Sequence, residues 1–427
     1  MVVAIILFLA TYVLLLALPK YRSYIALLSA LLFVVLGILP ASKVLSSIDW
    51  NVLMMIAGTM GVVFLFIESK MPSRLADFII RKMPDVKWTI ISLSLFAGII
   101  SAFVDNVATV LMVAPVAISI SKKLKISPVT SIIAISIASN LQGAATLVGD
   151  TTSILLGGYA NLNFLDFFFL HGKPGMFWIV QISAIVSTFV LMYVFRKDTQ
   201  KIQIDDLTEV EDFFPTYLLV GIVLGLIVAS FIPNTPATIN GLICMAGMII
   251  GIIRELVIRK NTSIVMGVLK DMDYFTLLLL TGLFVVIAGI TEAGVVDALG
   301  RLFIQISGGN IFIIYTLLVW ISVLLSAVID NIPYIATMLP VVTAIVAQLS
   351  AATGAPVDPL VLYFGLLSGA TLGGNLTPIG ASANIAGLGI LRKEGYEVKA
   401  GTFMKISVPF TLSAVITGYI LVWLIWK

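Results

Sequence analysis

The chain has 427 residues, of which 60% are hydrophobic and 11% charged, with a formal charge of +3 and a mean hydropathy of +1.13. Soluble domains carry about 25% charged residues, so this composition belongs to a polytopic membrane protein and leaves no room for a soluble catalytic domain. A single cysteine, Cys244, excludes an internal disulfide or thiolate cluster, and no G-x-x-x-x-G-K-[ST] stretch points to direct use of ATP.

Apolar segments of spanning length open the chain at Val2–Leu18, Tyr24–Leu39 and Asn51–Ile67. The first lacks a basic n-region and a small-residue cleavage site, so it reads as a retained span. A charged stretch, Glu68 to Lys87, follows. The next apolar block, Trp88 to Ser121, is 34 residues long. That is too long for one crossing and too short for two, at about 20 residues each. It reads as a re-entrant hairpin with Asp105-Asn106 at its tip. Residues 128–158 form a span interrupted at Gln142-Gly143 and Gly149-Asp150, the pattern of a discontinuous helix lining an ion site. Gly175–Phe195 crosses again, and Arg196–Asp212 is charged.

The second half repeats the scheme with Phe214–Ile232, Ile239–Ile253 and Tyr274–Thr291. A second hairpin, 311–350, carries Asp330-Asn331 centrally. A second broken span, 358–391, is interrupted at Gly373-Gly374-Asn375 and Pro378-Ile379-Gly380, and Phe403–Trp426 closes the chain. Asp49, Gly58, Glu68 and Leu75 match Asp273, Gly282, Glu292 and Leu299 at an offset of 224. Thr146 and Gly149 match Thr377 and Gly380 at an offset of 231. Ten crossings, two hairpins and an outside N-terminus place 21 of the 25 basic residues inside and 4 outside. Five crossings per half then force opposite orientations. The expected architecture is an all-α polytopic membrane protein with two inverted repeats, 1–195 and 214–427, joined by a cytoplasmic linker at 196–213, both termini outside.

Only Asp105, Asp150 and Asp330, of 22 acidic residues, fall inside apolar segments. A carboxylate there is costly, and where Ser or Asn would cap a half-helix equally well, ion or proton handling is the reading to test. Asn106 and Asn331 suit capping, and Pro333 suits the first turn of a half-helix. Ser101 and Ser326 lie four residues before their aspartates, one helical turn from each tip. Hydroxyl, amide, carboxylate and freed carbonyls form a hard oxygen cluster for Na⁺ or a proton. Asn140, Thr146, Asn375, Thr377 and Asn384 are candidates to orient a solute. Gly143, Gly149, Gly374 and Gly380 mark the breaks. His171 has no assigned role, and Cys244 reads as packing.

At these residues the sequence resembles the ion transporter superfamily. The resemblance rests on Ser101-Ala-Phe-Val-Asp-Asn running on to Pro115, Asp330-Asn-Ile-Pro running on to Pro340, and Gly373-Gly-Asn with Ile379-Gly-Ala-Ser-Ala-Asn384. It points to the branch of the arsenite permeases and the melanosomal P protein, related to sodium–dicarboxylate and citrate transporters and to sodium/proton antiporters. The resemblance implies a homodimer with a scaffold and a moving transport domain of the elevator type. It also implies ion binding at Ser101, Asp105, Asn106 and at Ser326, Asp330, Asn331. The tip serine of the dicarboxylate carriers is Asp in both copies here, which favours proton coupling or cation exchange. The first broken helix reads Gly149-Asp-Thr-Thr-Ser153, and the second Gly374-Asn-Leu-Thr377, both departing from the family pattern.

The expected function is secondary active transport in a prokaryotic plasma membrane. H⁺ or Na⁺, with no other cofactor, is coupled to a small inorganic or organic anion or an arsenite-type solute. Na⁺/H⁺ antiport is the alternative. An intramembrane aspartyl protease is remote, because Leu147-Val-Gly-Asp150 lacks the first glycine of a Gly-x-Gly-Asp signature, and a channel lacks a ring of like charges. Nothing suggests a nucleic-acid partner. Asp105 and Asp330 are expected to approach one midplane region from opposite sides.

Overall fold

The computed structural model describes residues 1–201 and 208–427 and is helical almost throughout. Residues 202–207 of the expected linker lie outside the described residues. The first half runs α1 (Val2–Ala17), α2 (Arg22–Val35), α3 (Val44–Ser47), α4 (Trp50–Glu68), α5 (Met71–Lys82), α6 (Val86–Ser101), α7 (Asn106–Leu124), α8 (Val129–Gly143), α9 (Thr151–Ala160) and α10 (Met176–Val194). The second runs α11 (Phe214–Ser230), α12 (Ile239–Val257), α13 (Thr262–Asp271), α14 (Tyr274–Glu292), α15 (Val295–Ser307), α16 (Ile311–Ser326), α17 (Asn331–Thr353), α18 (Leu360–Gly373), α19 (Ser382–Lys393) and α20 (Ala400–Trp426). A two-residue β-ribbon pairs Phe169–Leu170 with Lys173–Pro174.

Helices begin where a short polar side chain can take up an otherwise orphaned backbone N–H. Asp49 accepts from the Val52 N–H at 3.0 Å, Asp85 from Trp88 at 2.9 Å and Asp273 from Thr276 at 3.0 Å. Within the charged stretch after α4, α5 buries Pro72, Ala76 and Ile80 while Arg74, Arg81 and Lys82 share the helix. A helix of that make-up suits the membrane–water interface. Among the described residues, seven helical stretches are long and apolar enough to cross a membrane, and two bent pairs pass together. One of these pairs is α1 with the 3₁₀ turn Pro19–Tyr21 and α2, bent by 114°; the other is α15 with α16, bent by 116°. The count falls below ten because several helices, α8 and α18 among them, are shorter than a full span.

The elements α4–α10 recur in the same order as α14–α20, compatible with the repeat read from the sequence. The helix pair preceding each set packs across to the other half, α2 on α14 and α12 on α4. Glycine permits both crossings. A Cβ on Gly58 would lie 2.3 Å from the Cys244 backbone, and one on Gly282 would lie 2.6 Å from that of Ala26. Cys244 is thus a packing residue, fully buried. The centre of the molecule is α8 and α18. Every residue of α18, and every residue of α8 from Ser131 onward, is buried.

Candidate functional site

Hairpin one turns between α6 and α7, and Asp105 leaves the helical region at φ −45° and ψ 138° to become the cap of α7. Its Oδ1 accepts from the N–H groups of Val107 (2.9 Å) and Ala108 (3.1 Å). Oδ2 has no hydrogen-bond partner among the described residues, and Asp105 is among the residues that line a cavity. Asn106 donates from Nδ2 to Asn140 Oδ1 at 3.1 Å, and Ser139 donates to the Asn106 carbonyl at 3.0 Å. Ser101 is fully buried, and its hydroxyl has no partner among the described residues.

Hairpin two repeats this backbone between α16 and α17. Asp330, at φ −53° and ψ 135°, caps α17 by accepting from the Ile332 N–H at 3.1 Å. Its other oxygen is engaged: Arg22 Nη1 donates to Oδ2 at 3.0 Å. The bend after α1 brings Arg22 there, and its Nε donates to the Leu15 carbonyl at 3.1 Å. The Arg22 charge, counted in a loop from sequence, therefore reaches a hairpin tip. Tyr12 on α1 donates to the Pro333 carbonyl at 2.6 Å and also bonds the Thr337 hydroxyl. Ser326 donates to the Ala370 carbonyl at 2.5 Å.

The two helix breaks cradle the two tips in the same way. Thr146 donates to the Ala102 carbonyl and Thr377 to the Ala327 carbonyl. A Cβ on Gly149 would sit 2.7 to 2.8 Å from the carbonyl oxygens of Gly143, Ala102 and Ser101. One on Gly380 would sit 2.6 to 2.9 Å from those of Gly374, Ser326 and Ala327. Only glycine lets each break close on its tip. The broken helices also bond to each other. Asn140 Nδ2 donates to the Thr371 carbonyl at 2.8 Å, Asn375 Nδ2 to the Ile137 carbonyl at 2.9 Å, and the Thr152 and Thr371 hydroxyls meet at 3.0 Å. Asn384 stays within its own break, donating toward Gly374, Asn375 and Thr377 at 3.3 to 3.4 Å.

Asp150 stands where the halves meet. Thr152 donates to its Oδ2 at 2.9 Å, and Asn331 of the opposite tip reaches the same oxygen at 3.5 Å. Asp105, Asn106, Asp150, Thr151, Asn331 and Ser382 share a cavity of about 210 Å³. Asp271 and Asp273 complete its acidic wall, and among the described residues no basic side chain lines it. Sequence reasoning gave neither aspartate a site role and used Asp273 only as the repeat partner of Asp49; their place at the start of α14 was the available signal. The carboxylates line the cavity without converging, and no group of three acidic, histidine or cysteine side chains among the described residues could hold a metal.

A second cavity, about 670 Å³, lies further along the same half-helices. Helix α9 meets the first with Thr151 and the second with Leu155, Gly158 and Tyr159. Helix α17 meets them with Ile332 and with Ala336 and Leu339. Their outer walls correspond. Met60, Val63, Phe64 and Ile67 line the first, and Phe284, Ile287, Ala288 and Thr291, each 224 positions on, line the second. Asp273 and Asp49 correspond in the same way.

A helical membrane protein with two hairpin tips and two broken helices enclosing a polar cavity is built as a solute transporter. The chain belongs to the family described as "Citrate transporter", whose model matches residues 12–367. It is 32% identical to an uncharacterized transporter of Mycobacterium tuberculosis (strain ATCC 25618 / H37Rv), over 99% of this chain and 98% of that one. It is 27% identical to the P protein of Mus musculus, over 93% of this chain and 57% of that protein. These relatives are in keeping with the ion transporter superfamily. Two solved structures share the fold. The YdaH transporter of Alcanivorax borkumensis has a TM-score of 0.60 at 14% identity, covering 89% of this chain and 86% of that one. MtrF of Neisseria gonorrhoeae, titled as one of a class of antimetabolite efflux pumps, has a TM-score of 0.57 at 15% identity, covering 89% and 82%. The family and these neighbours are transporters, not enzymes, which sets the protease alternative aside.

Proposed function

We propose that the protein is a secondary active carrier that moves a small solute through the cavity between the hairpin tips, with H⁺ or Na⁺ as the coupling ion. The observation that carries this reading is the meeting of Asp105, Asp150 and Asn331, from both halves, in one cavity at two helix breaks. The free Oδ2 of Asp105, the Asn106 amide and the nearby Asp150 supply hard oxygen ligands to a cation or a seat for a proton. An anion, such as the carboxylate that the family description names, would enter an acidic cavity only with its charge offset by that ion. The half-helix N-termini of α9 and α19, which carry no side-chain cap and meet the cavity at Thr151 and Ser382, would supply the complementary attraction for the anion. The corresponding walls of the two cavities support alternating access of the elevator type, with the tips facing one wall and then the other. The basic-residue count supports termini outside and a plasma-membrane setting, and the family resemblance supports a homodimer.

A second reading, exchange of Na⁺ for H⁺ with no further solute, is favoured by the all-acidic charged lining of the first cavity. Proteoliposomes with a trapped pH dye, ²²Na⁺, labelled citrate and imposed pH or Na⁺ gradients separate the two. Citrate uptake driven by either gradient supports the first reading. Na⁺-linked proton movement without citrate uptake supports the second. Neither response with these or a wider panel of carboxylates and oxyanions would overturn both.

A further inference from the structure

Resting on the carrier reading above, we infer that Arg22 is a built-in cation at hairpin two, so that the protein couples through one ion site, at hairpin one, rather than two. The two tips share sequence and backbone, and each aspartate spends Oδ1 on capping its half-helix. They differ in the remaining oxygen. At Asp105 it has no partner among the described residues, and the residue lines about 210 Å³ of shared cavity. At Asp330 it holds the Arg22 guanidinium at 3.0 Å, and the crevice around Tyr12, Arg22, Asp330 and Pro333 amounts to about 10 Å³. That is room for no more than about one water. A delocalised guanidinium fixed by two hydrogen bonds satisfies the carboxylate as a bound cation would, and it is never released by deprotonation.

Among the described residues Arg22 has no counterpart at the other tip. The crossing of α2 on α14 and of α12 on α4 sets Ala26 against Gly282 and Cys244 against Gly58. That register, 218 positions apart, pairs Arg22 with Asn240. Asn240 is uncharged and lines a separate cavity with Asn51 and Asn161, away from Asp105. The matching position of the second half therefore brings no cation to hairpin one among the described residues, and an ion from solution fills that role.

The test counts cations on the purified full-length protein, as ²²Na⁺ bound per chain and protons taken up on acidification. The expected wild-type count is one. Arg22→Gln exposes Asp330, and the count should rise to two, with millimolar methylguanidinium returning it to one. In Arg22→Gln/Asp330→Asn, a neutral pair of similar shape that guards against misfolding of the single variant, the count should again be one. A count of one in Arg22→Gln, with only the transport rate altered, would make the pair a latch and overturn the inference. Loss of all cation binding in the double variant would overturn it too, because Asp330 would then be a coupling ligand. A wild-type protein that takes up neither ion would instead bring down the carrier reading beneath it.

Discussion

Hairpins one and two carry the same Ser-Ala-x-x-Asp-Asn sequence and each caps its half-helix with the aspartate, yet the two carboxylates keep different company. Asp105 is open to a polar cavity, whereas Asp330 is closed by an arginine from a bent helix 308 residues earlier in the chain. The repeat sets the backbone of both tips. What each carboxylate does is set by helices outside the hairpins, where the halves diverge. A duplicated motif is thus evidence for duplicated geometry, and duplicated chemistry needs the partners as well.

Substitution at the shared backbone should treat the tips alike. Gly149→Ala and Gly380→Ala each drive a methyl into three carbonyl oxygens, and overpacking of this kind costs roughly 1–3 kcal/mol or more. Both should lose most folded protein in detergent size-exclusion profiles, and a monodisperse, active variant of either would break the symmetry claimed here. Substitution at the carboxylates should treat them differently. Asp330→Asn leaves Arg22 without its counter-ion, and breaking such a pair costs up to about 3 kcal/mol at this depth. A thermal-unfolding assay should show a clear drop that Arg22→Gln reverses in the double variant. Asp105→Asn keeps a capping oxygen and should unfold near the wild-type temperature. Its gradient-driven transport should fall roughly 10–100-fold, the scale of one lost hydrogen bond to a charged group. Equal thermal shifts for the two variants would erase the distinction.

How much of this was readable in advance follows from where each charge sits. Asp105, Asp150 and Asp330 announce themselves because water is the default home of a carboxylate and these lie in apolar runs. The breaks at Gly149 and Gly380 are equally visible as glycines inside spans. Asp271, Asp273 and Arg22 stay hidden because a charge at the end of a span looks the same whether it points to water or folds back into a site. Only the 114° bend between α1 and α2 decides the case of Arg22, and no periodicity encodes it.

Smaller effects should sharpen the contrast further. Thr146→Val and Thr377→Val each remove one hydroxyl bond to a tip carbonyl, about 1 kcal/mol apiece. Matching decreases in unfolding temperature are expected. Tyr12→Phe removes bonds that only hairpin two receives. It should raise hydrogen–deuterium exchange at the start of α17 and leave the start of α7 unchanged.

The bent N-terminal pair also sets an order on how the protein is made. Arg22 leaves the ribosome 308 residues ahead of Asp330, an interval of roughly 15–60 s at 5–20 residues per second. Until then the arginine lacks its Asp330 partner, although α14, on which α2 packs, has already been made. The Arg22–Asp330 contact therefore forms late, after hairpin one and the helix on which α2 packs have been made. Hairpin one and its broken helix can assemble from neighbours in the chain, while hairpin two takes its arginine from a segment made much earlier.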